Sequence, residues 1–151
     1  MTGNGVIELN APIEQVWQKL MDPEVLTECI LGCKHLDLIE EGKYRADLSI
    51  GIAAVKGKYD ATISLVDVQA PESYKLVVHG EGAPGFVDAE GIIRLTPVEE
   101  GKTALAYNYT AEVGGKVAAI GQRMLGGVAK IVINDFFKKI KKEIESAQQS
   151  A

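Results

Sequence analysis

The last quarter of the chain constrains the fold most, because it has the pattern of one long amphipathic helix. Between Gly114 and Ala147 apolar residues recur at helical spacing, opposite a face rich in lysine. The apolar stripe consists of Val117, Ile120, Met124, Val128, Ile131 or Val132, Phe136, Ile140 and Ile144. A helix of this length is longer than one side of a small domain, so it needs an equally long surface to pack against.

The first half of this predicted helix has unusually small side chains, including Gly115, Gly121 and the pair Gly126-Gly127. A glycine inside a helix costs about 1 kcal/mol relative to alanine, so we expect the glycine pair to weaken or bend the helix. Two explanations of the small side chains stay open. They either allow the helix to pack closely against a sheet, or they leave room for a ligand.

The beginning of the chain predicts one strand followed by two short helices. The strand covers Gly5 to Leu9, and Asn10 is a plausible cap for the helix that opens at Pro12. Asp22-Pro23 ends that helix and caps a second one with the sequence PEVLTECI.

From His35 to Val113 the apolar pattern changes to period two, which is typical of strands. Six strands are predicted, approximately at Lys34–Glu40, Tyr44–Ile52, Val55–Gln69, Ser73–Glu81, Phe86–Val98 and Thr103–Glu112. The short links favour antiparallel hairpins. The fold class is therefore α+β: a seven-stranded curved antiparallel sheet around a long C-terminal helix, with two short helices after strand 1, in a single domain over residues 1–151.

Composition and charge exclude several classes of protein. The chain of 151 residues is 46% hydrophobic with a net charge of −5, and it has no clustered basic surface of the kind that binds nucleic acid. The basic residues from Lys138 to Lys142 are explained as the solvated side of the helix, with a docking patch for anionic lipid as the alternative. Without an apolar span or signal-peptide pattern, a cytoplasmic protein is expected.

The residue pattern predicts neither catalytic residues nor a metal site. His35 and His79 lie on separate strands without a neighbouring nucleophile, and the glycine-rich stretch from Gly80 to Gly85 does not open a helix as a phosphate loop would. Cys29 and Cys33 lack the further ligands of a zinc site.

A long helix over a curved sheet leaves the space between them as the natural pocket, and it would be apolar. We expect an apolar small molecule to enter near the second helix and to lie along the long helix. The candidate ligand-binding residues are Leu26, Ile30, Leu31, Phe86, Val117, Ile120, Gly121, Met124 and Val128. If no cavity exists, the same residues are ordinary core. Charged candidates for orienting a head group are Arg94, Arg123, Asp88 and Glu90.

Four segments, which together span most of the chain, resemble a known family: Ala11 to Cys33, Pro71 to Leu76, Gly80 to Pro97 and Val113 to Phe137. They are similar to the SRPBCC or START-like helix-grip superfamily and, more closely, to the CoxG family of carbon monoxide dehydrogenase subunits. The more specific signal is the run GG-x-x-A-x-x-G-x-R with a closing Phe-Phe pair. Leu31-Gly32 departs from the family's usual Pro-Gly, which makes this loop less rigid and more apolar.

The resemblance implies a non-catalytic accessory protein of molybdenum-containing carbon monoxide dehydrogenases and related hydroxylases. Such a protein would hold an isoprenoid quinone, with no covalently bound cofactor, and would link the enzyme to the respiratory membrane through at most peripheral contact. Two alternatives stay open: a cyclase- or aromatase-like enzyme of the same fold, and an assembly factor without a ligand.

Overall fold

One antiparallel sheet of seven strands forms the larger part of the fold. The structure, a computed structural model, describes the backbone of residues 1–150 and the side chains of residues 1–146, so Ala151 lies outside it. The strands are β1 (Thr2–Leu9), β2 (Cys33–Glu40), β3 (Lys43–Ile50), β4 (Gly57–Gln69), β5 (Ser73–Gly82), β6 (Gly85–Glu99) and β7 (Lys102–Gly114). Their spatial order is β1-β7-β6-β5-β4-β3-β2, which confirms the predicted antiparallel hairpins.

Two short helices, α1 (Ile13–Leu20) and α2 (Pro23–Cys29), follow β1 as expected. The side chain of Asp22 accepts a hydrogen bond from the Glu24 amide at 2.9 Å, which is the predicted cap of α2. The cap predicted for α1 is wrong. Pro12 is the first flanking residue of α1, and the backbone amide of Asn10 donates instead to the Glu145 carboxylate at 3.1 Å.

The C-terminal helix α3 (Gln122–Ser150) begins later than the sequence pattern predicts. Gly114 is the last residue of β7, and a short 3₁₀ helix, Lys116–Ile120, follows it. Gly121 has φ of +92°, a conformation that glycine adopts readily and that a continuous α-helix does not contain. The helix therefore starts afresh at Gln122, and it then continues through the Gly126-Gly127 pair as helix.

This break changes which residues of α3 face the sheet. Leu125 is buried, whereas Met124 is 57% exposed and Ile131 is also exposed. The buried stripe continues through Ile140 and Ile144, each of which contributes about 1.5–3 kcal/mol by leaving water. The prediction that Met124 faces inward is therefore corrected, because the phase of the helix is set after Gly121 and not at Gly114.

The core consists of two separate clusters of apolar side chains. The larger cluster packs α1, α2 and the C-terminal half of α3 against one end of the sheet, and Tyr107 stacks on Phe137 with ring centroids 4.8 Å apart. At the edge of this cluster the buried hydroxyl of Thr103 donates to the Ala11 carbonyl at 2.8 Å. The smaller cluster, at the other end, is described with the site below.

Candidate functional site: an apolar chamber between the sheet and the long helix

The register of four neighbouring strands aligns Ile63, Val78, Ala89 and Ala111 in one row, which we call the central row. Alternate residues of a strand face the same side of the sheet. The side chain of Ala89 therefore points to the same side as that of Ile93, which lies four residues further along β6. Ile93 is buried in the larger cluster. The central row therefore lies on the face of the sheet that α3 covers.

The central row lies between the two clusters and belongs to neither of them. The smaller cluster buries Val55, Val117 and Leu125 at the start of α3. The four residues of the central row are only half-buried, and neither cluster includes them among the residues that the structure describes. The middle of the inner face is thus lined by apolar side chains that the protein itself leaves partly uncovered.

The backbone of α3 makes its close contacts with α2, α1 and β1. The central row lies mainly on β4, β5 and β6, further along the sheet from the edge strand that the helix approaches. Leu26, Ile30 and Leu31, on α2 and the turn after it, are also half-buried and outside both clusters within the described chain. We call the half-covered part of the inner face between these groups the chamber, and it is the candidate ligand site, with the sheet on one side, α2 on another and α3 across it.

Tyr109 is a polar side chain on the inner face of the sheet, and its hydroxyl lies over Gly3 of the edge strand β1. It shares a row with Gly91 and Gly3, beside the central row. Burial, together with the neighbouring Tyr107, raises the pKa of Tyr109, so its phenol is neutral at neutral pH and can donate a hydrogen bond. No described residue accepts a hydrogen bond from that hydroxyl.

An open cleft of about 320 Å³ lies beside the smaller cluster. Its lining comes from Ala54, the hairpin residues Ala83 and Pro84, and Lys116 and Val117. The Val117 amide donates to the Pro84 carbonyl at 2.7 Å, which holds the 3₁₀ helix against the β5–β6 hairpin.

A second short 3₁₀ helix, Ala53–Val55, forms another side of this opening. It is held because the Tyr59 hydroxyl donates to the Val55 carbonyl at 2.6 Å. Three separate connections therefore meet around one opening.

The structure brings some of the predicted ligand-binding residues together and separates others. Val117, Ile120 and Val128 meet in the smaller cluster. Gly121 lies at the break before α3, and a side chain there would meet no atom within 4 Å, so this glycine does not border a narrow space. Met124 faces outward, as described above.

The prediction that Phe86 forms a wall of the pocket is also corrected. Phe86 neighbours Val87 on β6 and therefore faces the outer side of the sheet, where its ring covers Gly114 and remains 42% exposed. The central row was not among the predicted ligand-binding residues, although period two marks its members on β4 and β6. Period two identifies faces, but it does not say where along a face the covering helix leaves space.

The charged candidates lie away from the chamber. Asp88 and Glu90 are on the outer face, where Asp88 accepts from His79 at 2.5 Å and Glu90 pairs with Lys75 at 3.4 Å. Arg94 is exposed on the same outer face, and Arg123 is exposed in the first turn of α3. None of these four side chains therefore supplies a polar group to the chamber, and the polar candidate that remains is Tyr109.

Neither cysteine belongs to a group of potential metal ligands among the residues that the structure describes. Cys29 is buried and its pKa is raised to about 11, chiefly by that burial, so it remains a thiol. Cys33 is half-buried and donates weakly to the His35 carbonyl at 3.4 Å. Within the described residues no three His, Cys, Asp or Glu side chains are grouped as a metal site requires, and no helix has the length and apolarity to span a bilayer.

Solved structures resemble this chain over almost its whole length. A conserved protein from Geobacillus kaustophilus is 65% identical, with 97% of each chain covered and a TM-score of 0.95. A START superfamily protein from Mycobacterium smegmatis is 14% identical, with 97% of this chain and 98% of that one covered and a TM-score of 0.76. The second likeness shows a START-like fold.

Sequence comparison with curated proteins finds no match to this chain. A family model, in contrast, matches residues 5–145, and it describes CoxG, a subunit of carbon monoxide dehydrogenase. The match covers β2 to β7 and the two short helices in full, together with most of β1 and most of α3. The chain therefore belongs to the CoxG family of carbon monoxide dehydrogenase subunits.

Proposed function

We propose that this protein is a carrier that binds one apolar molecule, an isoprenoid quinone, between the central row and α3, and that it serves as an accessory to a molybdenum-containing hydroxylase. Family membership and the START-like fold support a ligand-binding accessory role in general. The observation that carries the proposal for this chain is the half-buried central row between two packed clusters. Ligand sites of this kind are mostly apolar with few polar groups.

The chemistry of the chamber fits a quinone better than a plain hydrocarbon. The Tyr109 hydroxyl, which has no described acceptor, would donate to a carbonyl of the head group. The central row and the half-buried residues Leu26, Ile30 and Leu31 would contact the isoprenoid tail. Because the charged candidates lie outside the chamber, the cyclase-like alternative lacks groups that could move protons there.

The first experiment is organic extraction of the purified protein, followed by mass spectrometry for isoprenoid quinone. We expect about one quinone per chain, or binding of added ubiquinone and menaquinone when the protein is purified empty. An empty extract with no binding of either added quinone would contradict the carrier function and favour an assembly factor that acts through its surface.

A matched pair of variants tests whether the central row is a ligand wall or ordinary core. Ala89→Leu adds volume to the inner face, and Ala106→Leu adds the same volume on the outer face of the adjacent strand. With an open chamber, Ala89→Leu weakens quinone binding at least about tenfold at little cost in stability, and Ala106→Leu leaves binding unchanged. In a packed core, Ala89→Leu would instead lower the unfolding free energy by about 1–3 kcal/mol.

Association with a hydroxylase requires a separate test. We expect the chain to co-purify with the molybdenum hydroxylase of its own cells, with or without bound quinone. Persistent co-purification of the Ala89→Leu variant would show that the docking surface and the chamber are independent.

A further inference from the structure

A second cleft, of about 250 Å³, lies on β3 and β4 beside the start of β2. Its lining consists of Lys34, Asp47, Leu48, Ser49, Lys58 and Tyr59. Ala46 and Ala61 are buried on the inner face of the sheet, and strand residues alternate between the two faces. Asp47, Ser49 and Lys58 therefore point to the outer face, away from the chamber. We call this cleft the outer pocket.

Lys34 reaches the outer pocket through a β-bulge at the start of β2. Cys33 lies opposite Leu48, and His35 lies opposite Asp47. Lys34 is therefore one extra residue in the ladder. In an unbroken register Lys34 would lie opposite Leu48 and would point to the inner face. A bulge re-aims a side chain in this way, and here it adds a second lysine to the one that β4 supplies.

The hydrogen-bond donors of the outer pocket are not used by the protein itself. Lys34 and Lys58 are exposed, and neither ammonium group forms an ion pair or hydrogen bond with a described residue. The Ser49 amide donates to the Gly32 carbonyl at 2.8 Å, whereas the Ser49 hydroxyl has no partner in the described part of the chain. Ser49 lies directly opposite Lys58, and such pairs have Cβ atoms about 5 Å apart. Three unused donors therefore border one small cleft.

One carboxylate, that of Asp47, also lines the outer pocket, and it lies opposite Asp60. Arg45 pairs with Asp60 at 3.2 Å, and this contact, with a smaller contribution from the charge of Asp47, raises the pKa of Arg45. Because carboxylates surround the lysines, the pocket would not attract anions from a distance, and binding would depend on direct contacts. A ligand that fits must bring negative oxygens for the lysines and a proton for Asp47.

We propose that the outer pocket binds inorganic phosphate in its hydrogenphosphate form. The unprotonated oxygens of this ion accept hydrogen bonds from Lys34, Lys58 and the Ser49 hydroxyl, and its P–OH group donates to the Asp47 carboxylate. Sulfate has a similar shape but carries no proton at neutral pH, so one of its oxygens would face Asp47 without a hydrogen bond. Asp47 is therefore the residue that selects phosphate over sulfate.

The size and the place of the outer pocket agree with a small free ion. Sites for larger organic ligands usually have volumes of about 300–1,000 Å³, and this one is smaller. The outer pocket and the chamber lie on opposite faces of the sheet. Phosphate binding is therefore independent of the proposed carrier function, and either one can fail without the other.

The test is an NMR titration of the whole chain with phosphate, sulfate and glycerol phosphate at neutral pH and a constant ionic strength of about 0.15 M. With phosphate we expect saturable shifts of the Ser49 and Lys58 amides, with a midpoint of about 1 mM or below. Sulfate should bind at least about tenfold more weakly, because it cannot donate to Asp47.

Three variants and a control assign the contacts. Lys34→Gln and Lys58→Gln should each weaken phosphate binding at least about fivefold, because each removes one charge-assisted hydrogen bond. Asp47→Asn should bring the affinities for phosphate and sulfate within about threefold of each other, because an amide can donate to either ion. Lys138→Gln, which removes an exposed lysine of α3, should leave the titration unchanged.

Three outcomes would overturn the inference. Phosphate that produces no saturable shift would mean that the lysines are only solvated. Equal binding of sulfate by the parent protein would mean an anion site without selectivity. Tighter binding of glycerol phosphate than of inorganic phosphate would assign the pocket to an organic phosphate ester. Thermal unfolding in phosphate-free buffer checks that each variant is folded, and if one is not, the comparison of the three anions on the parent protein decides.

Discussion

The phenol ring of Tyr109 lies across Gly3 of the adjacent edge strand, so that a Cβ at position 3 would be 2.5 Å from Tyr109 Cε1. Real Cβ atoms do not approach so closely, and the ring occupies the place that a side chain on β1 would take. Gly3 therefore determines where the Tyr109 hydroxyl is held on the inner face of the sheet.

The Gly3→Ala variant tests this dependence. The added methyl group would displace the Tyr109 ring toward the chamber, and we expect quinone affinity to fall about tenfold while the unfolding free energy changes by less than about 1.5 kcal/mol. Isothermal titration and urea unfolding measure the two quantities. Thr2→Ala, at an outward position of the same strand, is the control, and an unchanged affinity of Gly3→Ala would show that the ring moves away from the ligand.

Tyr109→Phe removes the hydroxyl and keeps the ring. If the hydroxyl donates to a quinone carbonyl, affinity should fall by about 2- to 10-fold, which corresponds to about 0.5–1.5 kcal/mol for one hydrogen bond. Binding of a hydrocarbon with the same tail length should not change. Equal losses for the quinone and the hydrocarbon would mean that Tyr109 acts through packing.

Alanine substitutions at two glycines near the start of α3 should change the unfolding free energy in opposite directions. Gly121 has φ of +92° and ψ of 157°, a conformation essentially open only to glycine, so Gly121→Ala should destabilise the protein by about 1–3 kcal/mol even though the surrounding space is open. Gly127 lies within the helix, and a Cβ added there would meet no atom of another element within 4 Å, so Gly127→Ala should stabilise the protein by about 1 kcal/mol. Urea unfolding measures both, and effects of the same sign would show that α3 starts elsewhere.

His79 should titrate above its ordinary pKa, because its ring hydrogen-bonds first to Asp88 at 2.5 Å and then to Glu81 at 3.4 Å. A raised pKa in the folded state means that protonated His79 stabilises the fold at pH values below the unfolded pKa. That contribution disappears as the pH rises through the folded pKa. NMR titration of His79 should show the raised value, and Asp88→Asn should lower it; an identical titration in the variant would contradict the pairing.

The element order followed from local patterns. Period two between His35 and Val113 and the short turns specify antiparallel hairpins, and the Asp22-Pro23 signal specifies the cap of α2. The resemblance carried by the segment from Gly114 to Arg123 agrees with the family that the comparisons show. These properties depend on neighbours in the chain, which is why the residues alone were sufficient.

The position of the site depended on contacts between distant segments. Local periodicity continued the helix back to Gly114, whereas the left-handed backbone at Gly121 starts α3 at Gln122 and turns Leu125, not Met124, inward. Strand register placed Phe86 outside and assembled the central row from four strands. Both outcomes arise because periodicity along a chain carries no information about which distant residues become neighbours in space.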